Sequence, residues 1–428
     1  MRIDRVFAWE ALDSRGSPTV GCEVVLAGGA KGAAIVPSGA SRGSHEAREL
    51  RDGGERYGGL GVGNAVANVR DALADAVAGV DAGDQGAVDA ALLAADGTAG
   101  LGRLGANAVL AVSVACALAA ADATGLPLYR LLAAGKTPLL PLPMVNILSG
   151  GAHAAFSLDV QDFLAVPVGA GSFAEAIEWA WRVRRATAEL TAERGLVAAL
   201  IADEGGLGPA LGSNRSALDL LALGIERAGL TAGEDVAIAV DVAATQLLEP
   251  GGTYRFEAEQ RSLSADELIE ELAAWAAVYP IVSLEDPLAE DDWMGWTAAG
   301  ARLAGVQLLG DDLFATSLER LERGITSRVA NAVLVKPNQV GTLSAARAVT
   351  DRARGAGYAT VLSARSGETE DSWLADLAVG WRAGQIKVGS TMRSERTAKW
   401  NRLLRIEAEL GDGVEFAGRR ALAPLSAS

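Results

Sequence analysis

Five residues in the second half of this 428-residue chain each stand where a short apolar run gives out: Asp241, Glu285, Asp311, Lys336 and Lys387. The runs occupy 236–240, 281–284, 306–309, 332–335 and 385–386, and a sixth, 359–362, ends at Ser363. Three carboxylates brought to one point repel one another strongly unless a cation joins them. Oxygen donors without a His/Cys set select a hard ion, Mg²⁺ with Mn²⁺ as a possible substitute, and not zinc. Taken singly, each acid also reads as a helix N-cap after its strand; the series is what points to a metal. Asp286 and Asp312 read as capping or supporting neighbours. Two lysines facing such a pocket disfavour each other's proton, so one can serve as a neutral base while the other stays a cation that neutralises developing negative charge.

Something must bring these residues together. The strand endings recur at about 20 to 45 residues, the length of a strand, loop, helix and return. In a closed parallel barrel, residues at consecutive strand ends converge on one pocket. An open doubly wound sheet is the alternative, but no Gly-x-Gly-x-x-Gly follows an early strand to support it. Ahead of this series lies a mixed unit. Residues 19–26 and 33–36 flank the turn signal Gly28-Gly29 and predict a hairpin, and an alanine-rich stretch from Asn107 to about Ala121 predicts a buried helix. Prolines at 127, 138, 141 and 143 punctuate the change, placing the boundary near Ala134, with a first domain over 1–134 and a second over 135–428.

The charge sum is 38 basic against 54 acidic residues, a net −16, which disfavours nucleic acid and anionic membranes as partners. An anionic ligand would need local cations or metal ions at its site. Cys22 and Cys116 sit in apolar stretches without Cys-x-x-Cys spacing and read as buried thiols of a reducing cytoplasm. The amino terminus lacks the apolar core of a secretory signal, and no run is expected to reach the roughly 18 apolar residues of a membrane span.

The motifs around these positions resemble enolase over nearly the whole chain. They are Asp13-Ser14-Arg15-Gly16, Pro37-Ser38-Gly39-Ala40-Ser41, Leu104-Gly105-Ala106-Asn107-Ala108, Asp203-Glu204-Gly205-Gly206, Ser283-Leu284-Glu285-Asp286-Pro287, Gly310-Asp311-Asp312-Leu313-Phe314 and Ser366-Gly367-Glu368-Thr369-Glu370-Asp371. The resemblance implies an α/β protein, a modified (β/α)8 TIM-type barrel preceded by a small α+β domain, with Mg²⁺, two ions per site, and a homodimer or octamer. Arg15 and Glu407 are candidate interface residues. It further implies that Asp241, Glu285 and Asp311 hold the first Mg²⁺ and Ser41 helps hold the second. Lys336 matches the base that removes the α-proton of 2-phosphoglycerate, and Lys387 the lysine that binds the carboxylate. Arg365 and Ser366 match the pair that grips phosphate, and Glu204 the acid that helps the β-hydroxyl leave.

Three positions depart from the pattern. Where the family writes Ser-His-Arg-Ser, this chain has Ser363-Ala364-Arg365-Ser366, so an imidazole is missing at Ala364. Gln-Glu-Phe becomes Gln161-Asp162-Phe163, which draws an active-site carboxylate back by one methylene, and a loop threonine becomes Arg42. His153 is kept. The changes fall on the leaving-group side or the entrance, while metal, base and phosphate positions remain. They point to a specialised paralogue such as carboxyphosphonoenolpyruvate synthase of phosphinate pathways, acting on a small phosphorylated or phosphonylated carboxylic acid. An ordinary phosphopyruvate hydratase and a non-catalytic scaffold of the same fold are the alternatives.

Overall fold

In the computed structural model, residues 1–39, 43–411 and 414–422 are described; Ser41 and Arg42 lie outside them. The strands Ile3–Leu12, Pro18–Leu26 and Lys31–Ile35 form an antiparallel sheet in that order. The expected hairpin is its second and third strands, and the sheet's first strand had not been anticipated. Lys31–Ile35 alternates outward and inward, and its inward face lies on the helix Ala106–Thr124. At Gly32 the approach is so close that a Cβ would overlap the backbone of Ala115 and Ala119.

That helix corrects one expectation. It is long and apolar enough to cross a membrane, yet most of it is buried inside the protein. Its small residues explain this: alanines on every side let it pack against the sheet and neighbouring helices at once. Cys22 and Cys116 are buried free thiols, and burial pushes both upward in pKa.

The second unit closes into an eight-stranded barrel, which excludes the open sheet. Its strands, in order around the barrel and along the chain, are Leu142–Ser149, Asp162–Val166, Ala237–Asp241, Ile281–Glu285, Gln307–Gly310, Ala332–Val335, Ala359–Ser363 and Gly384–Gly389. The eighth pairs with the first in parallel. The series is not uniformly parallel: Asp162–Val166 runs antiparallel to both neighbours. Its first residue, Asp162, therefore lies level with Asp241, the last residue of the next strand. A reading based on residues that close apolar runs cannot see a residue that opens one. Five of the helices between strands begin where the sequence offers a hydroxyl: Ser172, Ser213, Ser264, Ser317 and Thr342 each accept a hydrogen bond from an amide in the first turn.

Side chains alternate along a strand, so a residue two beyond a barrel-interior position also points inward. Ala237 and Ala239, Leu309, Ala332 and Leu334, and Val361 belong to one buried cluster. Asp241, Asp311, Lys336 and Ser363 each stand two residues past a member of it. In the same interior Gln307 hydrogen-bonds to both Ser283 and Gln385, and two residues beyond Ser283 and Gln385 come Glu285 and Lys387.

Candidate active site

The residues converge at the carboxyl end of the barrel. Lys387 donates to Asp241 Oδ2 at 2.6 Å and to Glu285 Oε2 at 2.8 Å. Lys336 donates to Asp311 Oδ2, and Gln339 Nε2 to Asp311 Oδ1 at 3.1 Å. Asp286 sits behind them in a left-handed conformation, φ 38°, and accepts from the amides of Asp311 and Asp312 at 3.0 and 2.7 Å. That places Asp286 as the support the sequence suggested, with its strain spent on fixing the Asp311 turn. Oxygens of Asp286, Asp311 and Asp312 come within 4.8 Å of one another. Asp241 is held a second time, by Gln161 Nε2 at 3.0 Å, and Gln161 in turn accepts from Gln246 at 3.0 Å.

The electrostatics follow from burial. Burial and the charge of Asp241 push the Glu285 carboxyl well above the usual carboxylate range. Burial and Asp311 push Asp312 up to about 7. For Lys387, burial works against the charged form, but Asp241 and Glu285 outweigh it and hold the ammonium well above its ordinary value. Lys336 is likewise raised: burial and Arg365 oppose its charge, and Asp311 prevails. The depression expected of two facing lysines is present, since Lys387 lowers Lys336, but the carboxylate paired with each lysine outweighs it. A group that drew Asp311 away would remove the charge that holds the Lys336 proton.

His153 lies on a short turn, Gly151–Ala154, with Nδ1 3.0 Å from Asp162 Oδ2. The other Asp162 oxygen accepts from Asn146 Nδ2 at 2.5 Å and Ser149 Oγ at 2.9 Å. Fully buried, Asp162 stands behind His153, which itself lines the pocket with Glu204. Burial lowers the imidazole, but Asp162 and Glu204 more than reverse this and raise it to about 9. For Glu204, burial favours the neutral form, while His153, Arg396 and Lys387 overcome it and leave the carboxyl below its ordinary value. Glu204 reaches the pocket because its loop lies directly on the eighth strand. A Cβ at Gly389, φ 120°, would press on the Glu204 carbonyl.

On the other side, Arg365 and Ser366 are buried, and the fully buried Arg396 donates to both of their carbonyls at 2.6 Å. Arg365 Nη1 donates to Glu46 Oε2 at 2.9 Å and to Asn338 Oδ1 at 3.1 Å. Ala364 lines the same pocket with its small side chain. Thus Asp241, Asp311, Lys336, Lys387, Arg365, Ser366, Ala364, Glu204 and His153 share one pocket, with Glu285 immediately beneath Lys387. Glu46, Gln161, Asn338 and Gln339 belong to the same constellation and were missed; they sit in loops or short turns, where no periodicity marks them. Arg15 and Glu407 have partners within the chain: Arg15 donates to Ser38 Oγ at 3.1 Å, and Glu407 accepts from the amides of Phe173 and Ala174. A larger cleft of about 410 Å³ opens beside Arg354, Tyr358, Arg382 and Arg420. Among the described residues its lining holds no lysine and only Glu415 as an acid, so the strand-end chemistry is not there.

The acids fit a divalent cation. Carboxylates outnumber the cations facing them, and Glu285 Oε1 is buried without a hydrogen-bond partner. A carboxyl oxygen left without a partner at that depth is costly to ionise unless a cation satisfies it. The all-oxygen donor set favours Mg²⁺. Family comparison agrees with this architecture in both units. The model described as the enolase N-terminal domain matches residues 3–132, and that of the enolase C-terminal TIM barrel domain matches 137–425. With both domains matched along nearly its full length, the chain belongs to the enolase family.

Proposed function

We propose that this enzyme forms an enolpyruvate-type product from 2-phosphoglycerate or a close analogue, and that it is a specialised paralogue such as a carboxyphosphonoenolpyruvate synthase. The observation that carries the reading is the meeting of Lys336 and Lys387 with Asp241, Glu285 and Asp311 at one barrel mouth, beside Arg365. Asp241, Glu285 and Asp311 would hold Mg²⁺, which supplies the positive charge that makes a proton beside a carboxylate removable. Ser41 is assigned to a second ion by resemblance alone.

Lys336 takes the α-proton, Lys387 pairs with the substrate carboxylate, and Arg365 with Ser366 holds the phosphate or phosphonate group. In the elimination the C–H electron pair becomes the new C=C bond, and the C–O bond to the β-hydroxyl breaks. The departing oxygen needs a proton. Glu204 is held in its anionic form, so the structure favours the His153 imidazolium as the proton source on that side, with Glu204 and Asp162 orienting it. The missing imidazole at Ala364 and the retracted Asp162 support altered leaving-group chemistry.

Deuterium exchange at C2 of 2-phosphoglycerate, with Mg²⁺ and after chelation, tests the reading. Exchange that requires Mg²⁺ and outruns dehydration is the expected result. Rapid phosphoenolpyruvate formation would indicate an ordinary hydratase, and no exchange with any phosphorylated acid would indicate a scaffold. Lys336→Ala should lower exchange by about 10³-fold while calorimetry still detects Mg²⁺ binding; retained exchange would reject Lys336 as the base.

A further inference from the structure

Arg365 already holds an anion, and the anion belongs to the protein. The Glu46 carboxylate lies across the guanidinium fork, Oε2 at 2.9 Å from Nη1 and Oε1 at 3.2 Å from Nη2. Both side chains are nearly inaccessible, 4% and 9% exposed. Glu46 Oε1 also accepts from the Gly43 amide at 3.1 Å and from Gln339 Nε2 at 3.4 Å. These donors are a guanidinium, a backbone amide and a carboxamide, a set suited to an anion with several oxygens.

We propose that Glu46 is a placeholder for the ligand's phosphate or phosphonate group, occupying the Arg365 fork until that group displaces it. The inference rests on Arg365 being the residue that takes this group. Two like charges on one buried guanidinium repel, so the ligand and Glu46 compete. The free space among the site residues, about 30 Å³, holds only one or two waters, so a phosphorylated acid has to displace protein groups. Glu46 is the carboxylate to leave: Asp241, Glu285 and Asp311 are wanted for the cation, whereas Glu46 is carried on a segment of the smaller domain.

The exchange also discriminates. A dianion with three oxygens can replace a carboxylate on this fork, while a second monocarboxylate gains nothing by doing so. Glu46 thus becomes a specificity-determining residue that rejects unphosphorylated hydroxy acids. When it is displaced, the Gly43 amide loses its acceptor, so binding at Arg365 is transmitted to the turn at 43–46.

The test uses inorganic phosphate titrated calorimetrically into the full-length protein at fixed Mg²⁺ and ionic strength. Glu46→Gln keeps the shape and removes the competing charge, so phosphate should bind about tenfold tighter; Arg365→Met should abolish binding. Unchanged or weaker binding in Glu46→Gln, with binding abolished in Arg365→Met, overturns the placeholder alone. Undiminished binding in Arg365→Met overturns the assignment of Arg365 and the placeholder with it. In the unmodified protein, phosphate should speed hydrogen exchange at the Gly43 amide; unchanged or slower exchange also overturns the proposal, even if the Gln variant does not fold.

Discussion

His153 shows how much one residue's surroundings decide. The chain has only two histidines, and Ala364 stands where the resemblance to enolase leads one to expect an imidazole. His153 is left with one nitrogen on Asp162, a carboxylate itself fixed by Asn146 and Ser149, and with a pKa of about 9 it is an imidazolium at neutral pH. A cation so oriented donates from its other nitrogen without rearrangement. It follows that His153→Gln should slow loss of the β-hydroxyl by about 10²-fold or more while leaving C2 exchange within a few-fold. Proton NMR follows the exchange and ultraviolet absorbance the enolpyruvate product. An equal fall in both rates would mean that His153 maintains the site's structure and does not act on the leaving group.

Strands made the site legible and loops concealed part of it. Asp241 and Lys336 could be read from the sequence because strand periodicity ties each to interior apolar residues two and four positions earlier, and Asp311 because Leu309 stands two before it. Asp162 needed the family motif, since its strand runs the other way. Glu46 and Gln339 were illegible because only the folded chain brings 46 and 339 to within hydrogen-bonding reach of each other. The hairpin was legible from its turn, but the intimacy of sheet and helix was not: it depends on Gly32, which sits where the helix backbone presses on the strand. Gly32→Ala should therefore destabilise the protein by about 3 kcal/mol, because the obstruction is main chain and cannot rotate away. Gly28→Ala is the control, since nothing lies within 4 Å of its added Cβ. Equal denaturation midpoints for the two variants would show that the sheet and helix can part without cost.

At the scale of the molecule, the smaller domain grips the barrel loop that carries Arg365 and Ser366. The amides of Ser38 and Gly367 each donate to the other's carbonyl at 2.9 and 3.0 Å, the Ser14 amide donates to Glu368 O at 2.7 Å, and the Ile35 amide donates to Asp371 Oδ2 at 2.6 Å. The last contact carries a cost. Burial pushes the Asp371 carboxyl up to about 6, against the pull of the Ile35 amide and Lys399, with Glu370 and Glu368 adding to the rise. An acid whose pKa is higher folded than unfolded binds more protons in the folded state, so stability falls as pH climbs from about 4, near the unfolded value, through about 6. Asp371→Asn keeps an oxygen for the Ile35 amide and removes the titration. Its melting temperature relative to the parent protein should rise across that window, level off above pH 7 and stop changing below pH 4. Thermal denaturation at half-unit pH steps measures the gap. A gap that stays flat, or narrows as the pH rises, would show that the Asp371 charge is accommodated at the domain junction and that the junction does not weaken with pH through this residue.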